Sequence, residues 1–452
     1  MRDRHPRSFP DLKPIRRRGP SLSKARFFYS LPYLLLASVA TLCFWYFGLE
    51  AYGIPIFLVL MFLIFALMQD VMPSIPLFMN ALFMVSKTDW AIDAIPLYIY
   101  LVPVIIIAGI VVHVLRFRTK LFKGGMLVGI VMMFLAMILS SFNAPVVNLN
   151  YSFYAAIGLS YAFVYFFYTN SLSGDHREYL IRMFFILGVL ISVQTLIYYL
   201  RVEDVILALE NKTFNLGWGL SNYVATYLIM FIPATFYYAK KTKMNTFFVI
   251  VGVFEIVMLI FTLSRGGMIA FAGVLVLLLV YLLKSKGWKY SLINLGLAAL
   301  IGYAIVMINL EMFTAIYERL RELMLSDTGR IEIWKDALAK YLEHPLFGGG
   351  IFARTADVND YRMYHNTVLH VMATFGTVGL ISLLIQIWQM FRIVLKTLDA
   401  KTVILAISLV GAHAHGLVDN IYFMPQFMIL LFLIIATCEN ANKLPLSAQA
   451  AG

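Results

Sequence analysis

The sequence predicts an all-α integral membrane protein, and three observations lead to this fold class. The chain is 61% hydrophobic and 13% charged, whereas a soluble domain is typically about 45–50% apolar and about 25% charged. Many apolar runs reach the roughly 20 residues that a helix needs to cross a bilayer. These runs are continuous, while the strands of a membrane β-barrel would alternate apolar and polar residues. The predicted bundle is therefore helical.

Positively charged segments predict how the helices are oriented. Nine of the first 26 residues are Lys or Arg, and the apolar run after them is too long for a cleaved signal peptide. Because Lys and Arg accumulate in cytoplasmic loops, the N-terminus is predicted to be cytoplasmic. Placing the later basic loops on that side as well predicts about 12–14 transmembrane helices. The predicted spans are 28–48, 52–68, 71–86, 94–114, 125–141, 151–169, 180–200, 218–239, 244–263, 266–283, 291–309, 365–391, 402–418 and 425–438.

The predicted organisation has five parts, one of which is a long loop outside the membrane. The helix count is a range because polar residues and prolines crowd the junction of spans 52–68 and 71–86. The parts are a basic cytoplasmic tail (1–26), transmembrane helices 1 to about 11 (27–309), an extracytoplasmic loop (310–364), C-terminal transmembrane helices (365–438) and a cytoplasmic tail (439–452).

The long outer loop is predicted to carry two amphipathic helices at the membrane surface. Apolar residues of LEMFTAIYERLRELML (310–325) recur at helical spacing, and charged residues take the opposite face. RIEIWKDALAKYLEH (330–344) has the same pattern and is predicted to end before a proline. Its predicted N-cap is Ser326, Asp327 or Thr328, all of which have suitable side-chain oxygens.

Arg265 is a candidate anion ligand because of where it interrupts an apolar run. The stretch FTLSRGGMIAF (261–271) falls at an outer turn, against the charge bias of the other loops. Ser264 can cap the helix that follows, and Gly266 and Gly267 allow a partner to approach closely.

Arg330 is a second candidate, in the first turn of the second loop helix. Unpaired backbone N–H groups at a helix N-terminus favour an anion, and a guanidinium adds a two-pronged donor suited to phosphate. The alternative is a surface ion pair with Glu332 or Asp327. After this helix, the three glycines at 348–350 allow either close backbone approach or a flexible turn.

His365 stands where the chain re-enters the membrane from the outside. A histidine ionises near neutral pH, so at this place it can serve as a general base. The alternative is an interfacial histidine with no chemical role.

Together these motifs resemble the O-antigen ligase and polymerase superfamily of bacterial multi-spanning glycosyltransferases. The resemblance covers about residues 215–437, and the order of the motifs along the chain is its most specific feature. The motifs are GLSNYVATYLIMFIP (219–233), SRGG (264–267), SDTGRIEIWKDAL (326–338), HPLFGGG (344–350), YHNTVLHVMATFGTVGL (364–380) and HAHGLVDNIYFMP (413–425).

The resemblance implies a reaction on the outer side of a bacterial inner membrane, with the active site facing the periplasm. The family moves a glycan from undecaprenyl diphosphate to an acceptor hydroxyl, on a lipid A core sugar or another glycan or surface acceptor. Nucleotide sugars, ATP and metal ions are not used, so no cofactor and no metal ligands are expected. The implied partners are the lipid-linked donor, a glycolipid or glycan acceptor and membrane lipid, with no nucleic acid. Cys43 and Cys438, inside apolar runs, have no metal-binding spacing.

The family's essential residues carry over onto three positions of this sequence. Arg265 and Arg330 would hold the diphosphate leaving group, and His365 would activate the acceptor hydroxyl in an inverting displacement. Further substrate-contact candidates are Asn222, Tyr364, Asn366, His415 and Asp419. Helix packing is the alternative for Asn222, and an ion pair to an arginine is the structural alternative for Asp419. Less specific candidates are Tyr223, Arg354, Arg362, His413 and Asn420, while Gln194 and Glu255 are interpreted as helix-packing groups.

Three functions remain open on the sequence alone. A ligase transfers a completed glycan to a fixed acceptor, and a polymerase of the same superfamily extends the glycan on its carrier. Polymerases often have two substantial outer loops, whereas here 201–217 is short and only 310–364 is long, which favours the ligase. A lipid-linked glycan flippase or transporter would predict inverted repeats, broken helices and charges at the bilayer midplane.

Overall fold

The computed structural model is a helical bundle. It describes residues 26–86, 97–144, 161–217, 219–241, 245–284, 288–308, 310–325, 329–350, 363–420, 422 and 424–444. Within these residues every regular element is a helix, apart from one isolated β-bridge between Leu216 and Gly219. The predicted all-α fold class is therefore confirmed for the part of the chain that is described.

Seventeen α-helices occur in the described residues. A π-helical turn, Tyr161–Phe167, leads into the sixth of them. In chain order they are α1 (Leu31–Tyr46), α2 (Glu50–Leu67), α3 (Ser74–Leu82), α4 (Leu97–Phe117), α5 (Leu127–Ser140), α6 (Tyr168–Ser171), α7 (Arg177–Arg201), α8 (Val205–Glu210), α9 (Ser221–Lys241), α10 (Asn245–Phe261), α11 (Arg265–Leu283), α12 (Trp288–Ile308), α13 (Leu310–Leu325), α14 (Arg330–Glu343), α15 (Thr367–Val394), α16 (Ala400–Gly416) and α17 (Pro425–Ala441).

Several of these helices have the length and composition of membrane spans. Five of the described helices, α2, α7, α11, α12 and α15, are long and apolar enough to cross a membrane. Five shorter apolar helices of 10–17 residues accompany them. These helices support a multi-pass membrane protein, and the larger number of crossings predicted from the sequence stays a prediction.

The predicted span 71–86 does not form one long helix. The regular part is α3, which has nine residues and so covers about 14 Å, roughly half of a bilayer core. The chain turns just before it, where the Met72 N–H donates to Asp70 Oδ1 over 3.0 Å and Pro73 precedes the first helical residue. Polar and proline residues at this junction therefore shorten the helix.

Helix α9 lies at the centre of the bundle. It packs against α7, α10, α11 and α16, and most of its residues are buried. Because protein surrounds it, its polar groups find partners on neighbouring helices; for example, Thr235 donates to Glu255 Oε2 over 2.7 Å. Gln194 donates to the Phe83 carbonyl over 2.9 Å. Gln194 and Glu255 thus have the helix-packing role predicted for them.

The two segments predicted to form amphipathic helices are helical, as α13 and α14, while their place in a loop outside the membrane stays a prediction. One detail of their prediction is wrong. The residue before Arg330 that caps α14 is Gly329, with φ of 70°, so none of Ser326, Asp327 and Thr328 takes that position. The reason is that the turn into α14 needs a left-handed backbone, which glycine adopts without steric cost. Residues 326–328 themselves lie outside the described residues.

The glycine-rich segment after α14 is seated in a break of α15. Gly376 has φ of 64° and ψ of −159° inside α15, and its position is about 14 Å along the axis from Thr367. The break exposes backbone groups that the segment satisfies: the Gly349 N–H donates to the Ala373 carbonyl over 2.9 Å, and the Thr377 N–H to the Pro345 carbonyl over 2.8 Å. The glycines therefore serve close backbone approach.

Ion pairs tie together helix ends on the side of the basic loops. Arg177, at the start of α7, is 2.8 Å from Asp175 Oδ2 and 3.0 Å from Asp399 Oδ2. Lys401 also approaches Asp175 Oδ2, at 3.1 Å. Helix α11 begins at Arg265 and ends just before Lys284, which belongs to a basic loop. Arg265 and Lys284 therefore lie at opposite ends of α11.

Candidate functional site

The start of α11 is fixed by the cap predicted from the sequence. Ser264 precedes the helix in an extended conformation, and its Oγ accepts a hydrogen bond from the Gly267 N–H over 3.2 Å. Leu263 has a left-handed φ of 47°, which turns the chain sharply between α10 and α11. Arg265 is therefore the first helical residue, held at a defined place by the cap.

The two glycines after Arg265 bring this helix start against other elements. A methyl group on Gly266 would lie 2.5 Å from Val418 Cγ2 and 3.4 Å from His415 Cδ2. A methyl group on Gly267 would lie 2.8 Å from Ala225 Cβ of α9. Only glycine permits this approach, so the backbone beside Arg265 directly contacts the end of α16 and the turn after it.

That turn carries Asp419, whose carboxylate is the centre of a hydrogen-bonded group. Asp419 Oδ1 is 3.1 Å from His365 Nδ1, and Oδ2 accepts from the Asn222 side-chain amide over 3.1 Å. The Asn420 backbone N–H also donates to Oδ1, over 2.7 Å. The Asp419 side chain is 3% exposed, while that of His365 is 34% exposed. The carboxylate is thus buried beneath an accessible imidazole.

The chemistry of this pair determines which imidazole nitrogen is available for reaction. An ionised carboxylate accepts hydrogen bonds only, so a neutral His365 must donate from Nδ1 to Asp419. Its Nε2 then carries the lone pair and can accept a proton. The arrangement has the form of a general base with an orienting carboxylate.

Electrostatics favour the charged form of Asp419 despite its burial. Burial raises the pKa of the Asp419 carboxyl, but the hydrogen bond and charge of His365, with further help from His415 and the Asn420 N–H, bring this pKa below its usual value. The group therefore stays ionised at neutral pH and can keep the imidazole in one tautomer.

The loop before α15 holds His365 in place. His365 has a left-handed φ of 48°, and Asn366 caps α15 by accepting from the Leu369 N–H over 3.0 Å. The Asn366 amide also donates to the Leu417 carbonyl over 2.8 Å, which ties the helix start to the turn that carries Asp419. Asn366 was predicted as a substrate contact, and in this structure its side chain makes these positioning contacts.

Arg330 reaches the same end of the bundle from the long loop. It opens α14, and its charge acts on both Arg265 and His415. The two arginines predicted to hold an anion are therefore neighbours, although more than sixty residues separate them in sequence. Helix α14 packs on α15, and this packing brings Arg330 to that end of the bundle.

Other predicted residues lie around this group or apart from it. His415 is buried beside it and hydrogen-bonds through Nδ1 with Thr226 Oγ1 at 2.8 Å. Tyr364 is 1% exposed and packs with Ala337 and Ala373, so the structure does not present its ring to the site. His413 contacts the Leu409 carbonyl one turn back in α16. The Tyr223 ring packs beside that of Phe427. Asn420 is buried next to Asp419. The last two candidates, Arg354 and Arg362, lie outside the described residues.

Asp419 was predicted either to contact substrate or to pair with an arginine, and its observed partners are His365 and Asn222. The ion pair to an arginine is therefore not what the described residues show. Substrate contact by Asp419 stays a prediction, although its burial favours a role through His365.

Sequence reasoning missed Lys212, which lies in the segment between α8 and α9. The Lys212 residue is half-buried, and it is close enough to Arg265, Arg330 and Asp419 for their charges to act on its side chain. Burial lowers the pKa of Lys212 below its usual value, and the two arginines lower it further while Asp419 opposes them. The signal that could have found it is the one that singled out Arg265, a cation in a segment predicted to lie outside, against the general charge bias.

The site therefore combines a cluster of cations with an oriented imidazole at one end of a membrane bundle. Cations of this kind stabilise negative charge that develops on a leaving group. A histidine with a free Nε2 can take a proton from a hydroxyl nucleophile. The arrangement is suited to transfer of a group from an anionic carrier to a hydroxyl.

One known family matches the part of the chain that contains the candidate site. Residues 247–384 match the family model described as O-antigen ligase, a range that includes Arg265, Arg330 and His365. A search of curated proteins finds no match for the chain. The family match confirms the resemblance found from the motifs, and it covers residues 247–384, less than a third of the chain.

Proposed function

We propose that this protein is a metal-independent glycosyltransferase of the O-antigen ligase type. It moves a glycan from undecaprenyl diphosphate to an acceptor hydroxyl, on a lipid A core sugar or another surface acceptor. The single observation that carries this proposal is the His365–Asp419 pair, 3.1 Å from Nδ1 to Oδ1, at the bundle end where Arg265 and Arg330 also converge. The O-antigen ligase match over these residues supports the same reaction class.

In the proposed reaction the acceptor hydroxyl gives its proton to Nε2 of His365. The acceptor oxygen forms a bond to the anomeric carbon while the bond from that carbon to the phosphate oxygen breaks. The electron pair of the broken bond stays on the diphosphate, so negative charge grows there and Arg265 and Arg330 stabilise it. Direct displacement of this kind inverts the anomeric configuration.

We further propose that the site faces the periplasm from the inner membrane. Support comes from charge placement, because α11 begins at Arg265 and ends beside the basic segment 284–289. Basic segments favour the cytoplasmic side, so the arginine end of α11 would lie outside.

The structure offers one observation that favours a ligase over a polymerase of the same superfamily. The outer segment between α7 and α9 contains only the six-residue helix α8 and a turn, so the long loop is the main outer element among the described residues. A polymerase is expected to use two substantial outer loops.

The direct test uses purified protein in lipid vesicles with an undecaprenyl-diphosphate-linked glycan and a lipid A core acceptor. Formation of the glycan–core product, also in the presence of a chelator, is expected. Movement of the donor across the bilayer without any product would indicate a flippase, and restoration of chelated activity by a divalent ion would contradict the metal-free mechanism. In cells lacking the protein, accumulated long lipid-linked chains are expected for a ligase and single repeat units for a polymerase.

A further inference from the structure

Lys212 occupies a backbone position that normally belongs to glycine. It follows α8 at the residue where the helix is closed by a Schellman motif: the Thr213 N–H donates to the Ala208 carbonyl over 3.1 Å and the Lys212 N–H to the Leu209 carbonyl over 3.2 Å. The φ of Lys212 is 50°, in the left-handed region that side chains disfavour. A lysine in this strained position suggests that its side chain has a use.

Packing of the neighbouring helices brings Lys212 to the cations of the site. Helix α8 packs against α13, and α13 packs against α11, whose first residue is Arg265. Lys212 lies just after the end of α8 and is half-buried. Its position is therefore set by the bundle and not by a freely moving loop.

The charge around Lys212 is strongly one-sided. Arg265, Arg330 and Arg319 all act on it as positive neighbours, and Asp419 acts in the opposite direction. The Asp419 carboxylate is already engaged by His365 and Asn222. Arg319 pairs through Nη1 with Glu322 at 3.3 Å, while its buried Nε has no hydrogen-bond partner among the described residues.

Several cations held together out of full solvent repel one another, and an anion with more than one negative charge relieves that repulsion. A diphosphate provides several oxygens that accept hydrogen bonds from Lys and Arg at once. A sugar hydroxyl or an acyl chain would provide no such compensation. The cluster therefore fits a polyanion, and the polyanion of the proposed donor is a diphosphate.

We propose that Lys212 binds the diphosphate of the lipid-linked donor and, together with Arg265 and Arg330, holds it as it leaves. This inference rests on the proposed function, since it names a further residue of the same donor site. Lys212 stabilises the charge on the leaving oxygen through its ammonium hydrogens and transfers no proton. Arg319, at the edge of the same cluster, adds positive charge from the long loop.

The left-handed backbone provides variants that separate charge from folding. Lys212→Asn and Lys212→Gly remove the ammonium but tolerate the left-handed conformation, so neither is expected to lower the thermal stability of the protein. Lys212→Arg keeps the charge. Lys340→Asn is a matched control, because Lys340 is an outer-loop lysine that pairs with Glu343 at 2.8 Å.

The experiment measures binding of inorganic pyrophosphate to each purified protein, and separately the KM for the lipid-linked donor. Lys212→Asn and Lys212→Gly are expected to weaken pyrophosphate binding and raise the donor KM by about tenfold or more. Lys212→Arg and Lys340→Asn are expected to stay within a few-fold of the natural protein. Unchanged pyrophosphate affinity in Lys212→Asn and Lys212→Gly would overturn the inference.

Pyrophosphate binding also keeps this inference separable from the proposed function. If the natural protein transfers no glycan, the proposed function fails, while the binding comparison still decides whether Lys212 belongs to an anion site. If transfer occurs and Lys212→Asn retains both the natural donor KM and the natural pyrophosphate affinity, the function stands and the assignment of Lys212 is wrong.

Discussion

His365 Nδ1 lies 3.1 Å from Asp419 Oδ1, a contact between two residues that are 54 positions apart in the chain. One partner precedes α15 and the other follows α16, so the contact closes a helical hairpin at the end where Arg265 begins α11. The carboxylate is buried and the imidazole is accessible, as the proposed roles of an orienting Asp419 and a reacting His365 require.

Replacing His365 tests the reacting group. We expect His365→Ala to lower glycan transfer by about 10²–10⁴-fold, the range that a positioned general base contributes. Folding should be preserved, because the side chain is 34% exposed and its loss leaves no large cavity. Transfer is measured in vesicles, with thermal unfolding as the control for structure. Transfer at the natural rate would remove His365 from the mechanism.

Asp419→Asn tests the orienting group and its dependence on pH. The amide can still accept a hydrogen bond but no longer favours one tautomer through its charge, so kcat should fall while the donor KM changes little. Since the pKa of Asp419 is lowered, the stabilisation from its ionised form is present above the ordinary carboxyl pKa and is lost as pH falls through the lower folded value.

The thermal stability difference between the natural protein and Asp419→Asn should therefore shrink as pH falls below the ordinary carboxyl pKa of about 4. Unfolding followed across this pH series checks the sign. A difference that grows as pH falls through this acid range would contradict the assignment of Asp419 as the ionised partner.

Local features of the site were predictable because each depends on neighbouring residues. Ser264 caps α11, the paired glycines permit close approach, and α13 and α14 follow the apolar periodicity of their sequences. Such features need only the short-range rules of capping, steric size and amphipathic spacing.

Long-range partners could not be read from the sequence in the same way. Asp419 had several possible partners, and only the packing of α9, α15 and α16 selects His365 and Asn222. Lys212 was missed because its segment looked like a simple connection, and its place depends on α8 packing against α13. The break at Gly376 was hidden inside an uninterrupted apolar run, where glycine is tolerated in either conformation.

Arg265 and Arg330 are expected to be needed for the same step. Arg265→Ala and Arg330→Ala should each lower transfer by at least about 10²-fold, because each removes a charged donor from the leaving diphosphate. Lysine at either position should restore only part of the activity, since it lacks the two-pronged geometry of a guanidinium.

Arg321→Ala is the matched control for these variants. Arg321 is an exposed arginine of α13 that pairs with Glu318 at 3.3 Å, so its loss should leave transfer and stability nearly unchanged. Equal losses in Arg321→Ala, Arg265→Ala and Arg330→Ala would indicate a general effect of outer positive charge and would argue against a specific diphosphate site.

Gly376→Ala tests whether the glycine-rich segment fixes the helix that His365 precedes. The new methyl group would lie 2.5 Å from the Leu346 backbone and 2.6 Å from the Gly348 nitrogen, at a φ of +64°. The left-handed strain and the backbone clash together should cost about 2–5 kcal/mol of stability, and a displaced α15 should also reduce transfer.

Gly302→Ala is the control, since a methyl group there meets no atom within 4 Å, and a helical Gly-to-Ala change at such a site is neutral or slightly stabilising. Thermal unfolding of the two variants tests whether the segment from Pro345 to Gly350 packs in the break of α15. Equal melting temperatures would show that it does not.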